Sequence, residues 1–234
     1  MSTATTDIAG LTALGAPILC FDTCTVLDIM RDPTRETVRD HEQRAALDLL
    51  AAMETGTKLI GLVADQVRLE FNNNANAVED EAARALKKLG AQLARMDAVA
   101  AVFGGGGRTD LQHFDGHVIR SRAIVNRWMA AAKSAPQAPE IAARAFQRVI
   151  QVRTPARQGK DSIKDCVVIE SYLDIVSALR AAGLTSTVVF VSSNTRDYAG
   201  ETGRALKPDM AAEFAKIGMQ YVPNLAAAKY SLGL

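Results

Sequence analysis

The sequence predicts an α/β protein in which helices cover both faces of a parallel sheet. Short apolar runs at residues 17–21, 58–63, 187–192 and 219–222 have the length and composition of buried strands. Segments with helical periodicity separate these runs, and an alternation of strands with helices is typical of a parallel sheet. No internal repeat or low-complexity linker divides the chain, so we predict a single domain over residues 1–234.

The composition is that of a globular protein. Of the 234 residues, 48% are hydrophobic and 23% are charged, which is enough apolar material for a sizeable core. The net charge of +1 gives no support for nucleic-acid binding by the whole molecule. It does not exclude such binding, because a basic face on one side of the molecule is sufficient. Cys20, Cys24 and Cys166 have no disulfide spacing. With neither a secretory signal nor a run of about twenty apolar residues, we expect a cytoplasmic protein without a membrane span.

The elements of the first half follow from caps and periodicity. After the strand at 17–21, Asp32-Pro33-Thr34 offers the start of a helix that repeats apolar residues to Met53. The strand at 58–63 comes next, and Asp65 then caps a helix that carries Glu70. We therefore expect a strand–helix–strand–helix order.

The middle of the chain, residues 77–157, is predicted to be entirely helical and to form an insertion within the domain. Its three helices cover residues 77–99, 109–132 and 139–152, and they are rich in alanine, leucine and charged residues. Four glycines at 104–107 interrupt the block; no strand precedes them, so we interpret them as a flexible loop and not as a phosphate-binding loop.

The last part returns to alternation. Asp161 or Ser162 caps a long helix that runs to about Ala182. After the strand at 187–192, a helix is expected over 208–217; the strand at 219–222 and a terminal helix from Asn224 complete the chain.

Four acidic residues fall where these elements meet the carboxyl edge of the sheet. Asp22 follows the first strand, Glu70 lies on the helix after the second, Asp165 opens the long helix, and Asp197 follows the strand at 187–192. Ligands of open α/β sheets bind at this edge, and carboxylates gathered there repel one another unless a cation lies between them. Hard cations such as Mg²⁺ and Mn²⁺ prefer oxygen ligands. The pattern therefore predicts a metal-dependent enzyme that acts on a phosphate-containing substrate.

Each acid also has a simpler interpretation. An Asp-Thr pair such as Asp22-Thr23 is a common helix cap, and the positive end of a helix accommodates both Asp161 and Asp165. The turn at 193–197 consists of residue types that ordinary turns favour. What the turn interpretation leaves unexplained is why the same arrangement occurs at Asp22.

The order of four motifs resembles the PIN-domain ribonucleases. FDTCTVLD supplies an aspartate and a hydroxyl residue after a strand, VRLE a glutamate on the following helix, KDCVVIE an aspartate that opens a helix, and SSNTRDY a polar turn with an acid and an aromatic residue. The resemblance extends over about residues 17–222, interrupted by the helical block. The matching positions are Asp22, Thr23, Glu70, Asp165, Ser192, Asn194, Asp197 and Tyr198.

The resemblance implies hydrolysis of RNA phosphodiester bonds with one or two Mg²⁺ or Mn²⁺ ions. Asp22, Glu70, Asp165 and Asp197 would hold the metal. Supporting positions would be Thr23, Ser193, Asn194 and Asp161, and residues that could meet the RNA backbone would be Lys160, Lys164 and Arg196.

The sequence departs from the family pattern, or leaves a choice within it, in four places. Cys24 stands where asparagine is frequent, and the span between Glu70 and Asp165 is long for a toxin-type member. Asp161 is an alternative to Asp165, and Asn194 is an alternative to Asp197 as the metal-facing residue.

Two other functions stay open. In a haloacid-dehalogenase-like phosphatase Asp22 would be the nucleophile, with Ser192 or Ser193 on the phosphate and Lys207 and Asp209 following, but Cys24 replaces the second acid that this family needs. A PIN-like domain can also be a non-catalytic scaffold. As partners, the resemblance makes an antitoxin or inhibitor protein and a homodimer reasonable expectations.

Overall fold

The computed structural model describes residues 6–200, 203 and 205–234. Within these residues the chain forms five strands, ten α-helices and one short 3-10 helix at Gln112–Phe114. The strands are β1 (Ile18–Phe21), β2 (Ile60–Ala64), β3 (Lys133–Ala135), β4 (Val188–Val191) and β5 (Met219–Val222). The α-helices are α1 (Ile8–Leu14), α2 (Thr23–Asp28), α3 (Asp40–Glu54), α4 (Asp65–Val102), α5 (His117–Ala131), α6 (Pro139–Ile150), α7 (Ile163–Ala181), α8 (Thr195–Tyr198), α9 (Pro208–Lys216) and α10 (Leu225–Ser231).

The strands form one parallel sheet in the order β3-β2-β1-β4-β5. Ile18 of β1 lies opposite Ile60 of β2 on one side and Val188 of β4 on the other. The chain adds strands in one direction from β1 to β3 and in the other direction from β4 to β5. The order therefore reverses between β1 and β4, and the carboxyl ends of these two strands border the crevice where such sheets bind ligands.

Helices cover the sheet, which confirms the predicted α/β class. Every residue of β1, β2 and β4 is buried, as expected of parallel strands that are covered on both faces. The aromatic rings of Phe21 and Trp128 meet edge to face at 5.4 Å between centroids, which joins β1 to α5. Among the helices of the described residues, none is both long enough and apolar enough to span a membrane.

The expectation that residues 77–157 are entirely helical is wrong at Lys133–Ala135. These residues form β3 and extend the sheet beside β2, with Lys133 opposite Leu62. A three-residue strand with one buried side chain carries almost no apolar pattern, and pairing with β2 supplies what its sequence does not. α4 also runs without a break across residue 77, where the insertion is predicted to start. The insertion itself stays a prediction.

Several helix boundaries also differ from the predicted ones. The helix expected from Asp32 begins at Asp40, because the Asp32 carboxylate accepts hydrogen bonds from the amide and hydroxyl of Thr34 at 2.8 and 2.7 Å and forms a turn instead. The helix expected over 109–132 begins at His117, and α1 has no counterpart among the predicted helices. The described strands agree with the predicted ones to within two residues, apart from β3.

A buried arginine fixes the connection between α6 and α7. The Arg148 side chain is 1% exposed; it donates to Glu170 Oε1 at 2.7 Å, to the carbonyl of Thr154 at 2.6 Å and to Glu213 Oε2 at 2.5 Å. Asp209 accepts from the amide and hydroxyl of Thr154, both at 2.7 Å. Because paired buried charges resist separation, this network holds the connection in place over the carboxyl edge of the sheet.

Tyr172 of α7 ties the ends of β1 and β2 together. Its buried hydroxyl donates to the carbonyl of Phe21 at 2.6 Å and accepts from the amide of Ala64 at 3.2 Å. Phe21 directly precedes Asp22, and Ala64 directly precedes α4, which carries Glu70, so this side chain fixes the spacing of the two strands where the site begins.

We expect Tyr172→Phe to lower the free energy of unfolding by about 1–3 kcal/mol, because the Phe21 carbonyl and the Ala64 amide would be left without this buried partner. Urea denaturation followed by circular dichroism measures this change. Tyr230→Phe is the matched control, since Tyr230 is 88% exposed and should change stability by less than about 0.5 kcal/mol. Equal stability of the two variants would show that the Tyr172 hydroxyl does not hold the strand ends.

Candidate active site

Asp22 joins the two strands at the reversal of strand order. It follows β1, caps α2 and is 4% exposed. Its Oδ1 accepts from the Thr23 amide at 2.7 Å, and its Oδ2 accepts from Ser192 Oγ at 2.8 Å and from Cys24 Sγ at 3.2 Å. Burial raises the pKa of the Asp22 carboxyl, although the three hydrogen bonds oppose this effect. Ser192 directly follows β4, so this hydrogen bond joins the carboxyl ends of β1 and β4.

Glu70 reaches the same place from α4. Thr23 Oγ donates to Glu70 Oε2 at 2.8 Å, and Gln66 donates to Glu70 Oε1 at 2.9 Å. Since Thr23 is adjacent to Asp22 in the chain, its hydroxyl connects the two predicted acids through one residue. Thr23 therefore contacts one predicted acid and adjoins the other, and its supporting role stays a prediction.

Asp165 lies in the first turn of α7, where the charges of the other three acids affect the pKa of its carboxyl. Burial, the charge of Asp22 and the charges of Asp197 and Glu70 together raise the pKa of the Asp165 carboxyl to about 6, although the Lys160 ammonium acts in the opposite direction. The structure thus places the four predicted acids in one electrostatic neighbourhood. Their mutual repulsion is what a bound cation would relieve.

Asp197 differs from the other acids because local cations already neutralise it. Burial acts to raise the pKa of its carboxyl, but hydrogen bonds from Lys160 and Asn194 outweigh burial and lower it. The Asn194 amide donates at 2.6 Å, the Arg157 guanidinium lies at 3.4 Å, and the Lys160 ammonium is also in contact. Asn194 therefore orients the Asp197 carboxylate, and the choice between the two as the metal-facing residue stays a prediction.

Lys160 bridges two of the acids. Its ammonium lies 3.6 Å from Asp165 Oδ2 and contacts Asp197 Oδ2. This lysine, which the sequence predicts as an RNA contact, is already engaged with the acids in the structure. Lys164 and Arg196, the other predicted RNA contacts, are exposed.

Two predicted supporting residues form no hydrogen bond with the four acids within the described residues. Asp161 is exposed and accepts only a long hydrogen bond, 3.4 Å, from the Ile163 amide among the described residues. Ser193 donates to Asp28 at 2.6 Å, and its neighbour Ser192 makes the contact to Asp22. The strand register contains the signal for this choice, because Phe21 lies opposite Val191 and so Asp22 comes next to Ser192.

Sequence reasoning missed the contacts from Arg157 and Gln66 and predicted no role for the Tyr198 hydroxyl. Arg157 looks in the sequence like one more solvent-exposed arginine, yet it lies on the α6–α7 connection and contacts Asp197. Tyr198 is buried, and its hydroxyl has no hydrogen-bond partner within the described residues. Burial and then the charges of Asp22 and Asp165 raise the pKa of this hydroxyl, which therefore lies near the acids with its polar atom unpaired.

The donor chemistry of this cluster fits a hard divalent cation. Asp22, Glu70 and Asp165 offer carboxylate oxygens from three different elements, and the unpaired Tyr198 hydroxyl is a further polar group beside them. Within the described part of the chain, however, no three His, Cys, Asp or Glu side chains already converge on one point as metal ligands do. In this structure the Lys160 ammonium lies between Asp165 and Asp197 and partly neutralises their negative charge.

We expect Asp165→Asn to stabilise the metal-free protein above pH 6 by about 2–3 kcal/mol, because a folded-state pKa of about 6 lies above the ordinary 3.8. Below about pH 4 both states of the wild type are protonated, and the carboxyl costs nothing. Between pH 4 and 6 the folded state binds the extra proton, so stability falls as pH rises.

Urea denaturation in EDTA at pH 4, 5 and 7.5 measures this dependence. Asp174→Asn, an exposed change on the same helix, is the control and should not reproduce the gain at pH 7.5. If the free energy of unfolding of the wild type does not fall relative to that of Asp165→Asn between pH 4 and 7.5, the raised pKa of Asp165 is contradicted.

A family model described as PIN domain matches residues 19–198, which is most of the chain and includes all four acids. No curated protein and no solved structure matches the chain. PIN domains are in general nucleases and typically use divalent metals, which agrees with the carboxylate cluster at the carboxyl edge of the sheet. The chain belongs to the PIN-domain family.

Proposed function

We propose that this protein is a metal-dependent endoribonuclease that hydrolyses RNA phosphodiester bonds at the acid cluster. The observation that carries the proposal is the gathering of Asp22, Glu70, Asp165 and Asp197 at the carboxyl edge of the sheet in a PIN-domain chain, where Thr23 links Asp22 to Glu70 and Lys160 contacts Asp165 and Asp197. Burial, and then the charges of the other acids, raise the pKa of Asp165 to about 6. Buried carboxylates that repel one another cost stability, and such a cost is typical of a site organised for a ligand.

Asp22, Glu70 and Asp165 would hold Mg²⁺ or Mn²⁺, and Asp197 would complete the set. A divalent ion held there would lower the pKa of a water that acts as the nucleophile and would stabilise charge on the phosphate and the leaving oxygen. The neighbouring residues of the chain orient the ligands: Ser192 and Cys24 hold Asp22, and Thr23 holds Glu70.

The α6–α7 connection supplies positive charge beside the acids. Arg157 and Lys160 contact Asp197, and the network around Arg148 fixes the connection that carries them. A phosphate that approaches the cluster would meet these two cations as well as the acids. Exposed Lys164 and Arg196 would add contacts to the RNA backbone farther out.

Partner and location are parts of the same proposal. A toxin-type nuclease needs a protein inhibitor, and an acidic crevice bordered by Arg157 and Lys160 offers such an inhibitor both signs of charge. We also propose a homodimer and a cytoplasmic location, where RNA is available.

The phosphatase alternative gains no support from Lys207 and Asp209. Lys207 donates to the backbone carbonyls of Arg196 and Asp197, and Asp209 is held by Thr154. Neither side chain contacts Asp22 within the described residues. The scaffold alternative predicts that acids are lost, whereas this chain retains four.

Incubation of the protein with a pool of single-stranded and structured RNAs should give cleavage with Mg²⁺ or Mn²⁺ and none in EDTA. Asp22→Asn should lower the rate by roughly 10²-fold or more, because it removes a charge from the metal ligands. Asp48→Asn, which changes an exposed carboxylate paired with Lys229, should cleave as the wild type does.

Gel analysis with matched DNA substrates separates RNA from DNA specificity. Folded protein that binds Mn²⁺ but cleaves nothing would contradict the nuclease proposal. Cleavage that persists equally in EDTA or in Asp22→Asn would contradict the role of the acids.

Thr23→Val should lower the cleavage rate by about 10–100-fold, since it removes the hydroxyl that holds Glu70 while nearly keeping the volume of the side chain. Single-turnover rates at several Mn²⁺ concentrations measure the change and show whether extra metal restores activity. Thr57→Val, at an exposed threonine, is the control. A wild-type rate for Thr23→Val would mean that Glu70 does not depend on this hydrogen bond.

A further inference from the structure

A polar cavity of about 490 Å³ opens beside the acid cluster. One part of its wall consists of Cys24, Ser193 and Asn194, and another part carries Arg31, Arg35 and Arg39. We call it the arginine cavity. Its volume lies in the range of roughly 300–1,000 Å³ that is usual for ligand pockets.

The arginine cavity is continuous with the site through two shared residues. Cys24 donates to Asp22 Oδ2 at 3.2 Å, and Asn194 donates to Asp197 Oδ2 at 2.6 Å. Both side chains also line the cavity. A ligand in the cavity would therefore lie one side chain away from the acids.

The charges in the cavity wall are not balanced. Asp28 faces two arginines, with Arg31 at 2.9 Å and Arg35 at 3.8 Å, and it also accepts a hydrogen bond from Ser193. Arg39 donates to the backbone carbonyls of Glu36 and Val38 at 2.6 and 3.3 Å and forms no ion pair within the described residues.

With Glu42 as the other acid of the lining, three guanidinium groups face two carboxylates. The excess positive charge suits an anion, and guanidinium groups bind phosphate in a bidentate manner.

We propose that the arginine cavity binds a backbone phosphate of the RNA strand, one or two nucleotides from the bond that is cleaved. This inference rests on the proposed nuclease function. The acid cluster repels the phosphates next to the scissile one, so a strand that crosses the cluster needs positive charge at its flanks. Arg157 and Lys160 are already engaged with Asp197, whereas Arg35 and Arg39 have no contact with the acids of the cluster.

The double variant Arg35→Gln/Arg39→Gln tests the proposal. Its matched control is Arg84→Gln/Arg95→Gln, which removes the same charge from two exposed positions of α4 outside the cavity. Fluorescence anisotropy measures the binding of a labelled single-stranded RNA to the full chain in Ca²⁺ at several salt concentrations, and a gel verifies that the RNA stays intact.

We expect the double variant to bind at least about tenfold more weakly than the control, because it can no longer donate charged hydrogen bonds to phosphate. The slope of log K against log salt should become shallower by about 0.7 for each phosphate of the single strand that the variant no longer neutralises. The single variants Arg35→Gln and Arg39→Gln repeat the measurement if the double variant does not fold.

Methylphosphonate substitution locates the phosphate. In a series of RNAs, each with one neutral linkage, one linkage within two nucleotides of the cleavage point should weaken binding to the wild type and to the control. The same linkage should have no further effect on Arg35→Gln/Arg39→Gln, because the two changes remove one interaction.

Equal binding by the double variant and the control, or additive effects of the neutral linkage and the double variant, would overturn the cavity proposal. If the wild-type protein still cleaves RNA in that case, the nuclease function stands. Wild-type protein that neither binds nor cleaves RNA would overturn the nuclease function and this inference together.

Discussion

Buried negative charge at the carboxyl edge of the sheet is the constraint on which the site depends. Parallel strands deliver their carboxyl ends to one edge, and here β1 and β4 place Asp22 and Ser192 in contact across the reversal of strand order. Glu70 and Asp165 arrive from α4 and α7, and burial together with their neighbours raises the pKa of Asp165. The fold thus brings together carboxylates that repel one another, and a bound cation would neutralise this repulsion.

The protein partly satisfies these charges with its own residues. Lys160 and Arg157 come from the connection between α6 and α7, and Arg148 fixes that connection by binding Glu170, Glu213 and the backbone of Thr154. This network explains why a buried arginine lies outside the apolar core of the sheet. It also means that Lys160 would have to share its position beside Asp165 with any incoming metal ion.

The sequence is informative where chemistry repeats and uninformative where tertiary pairing decides. Strands β1, β4 and β5 and the positions of the four acids could be predicted, because apolar runs and strand-end acids carry local signals. β3 could not, since Lys133–Ala135 becomes a strand only by pairing with β2. The choice of Ser192 over Ser193 depends on register, and the role of Arg157 depends on a connection whose path no local pattern encodes.

The central claim is that Asp22, Glu70 and Asp165 hold a divalent cation. Anomalous scattering from crystals of the wild-type protein soaked in Mn²⁺ tests it most directly, because the signal locates the metal without regard to activity. The account predicts an anomalous peak within coordination distance of the Asp22 and Asp165 carboxylates, with the Lys160 ammonium displaced from Asp165. Mn²⁺ bound elsewhere, or no peak with Lys160 still bridging Asp165 and Asp197, would contradict it.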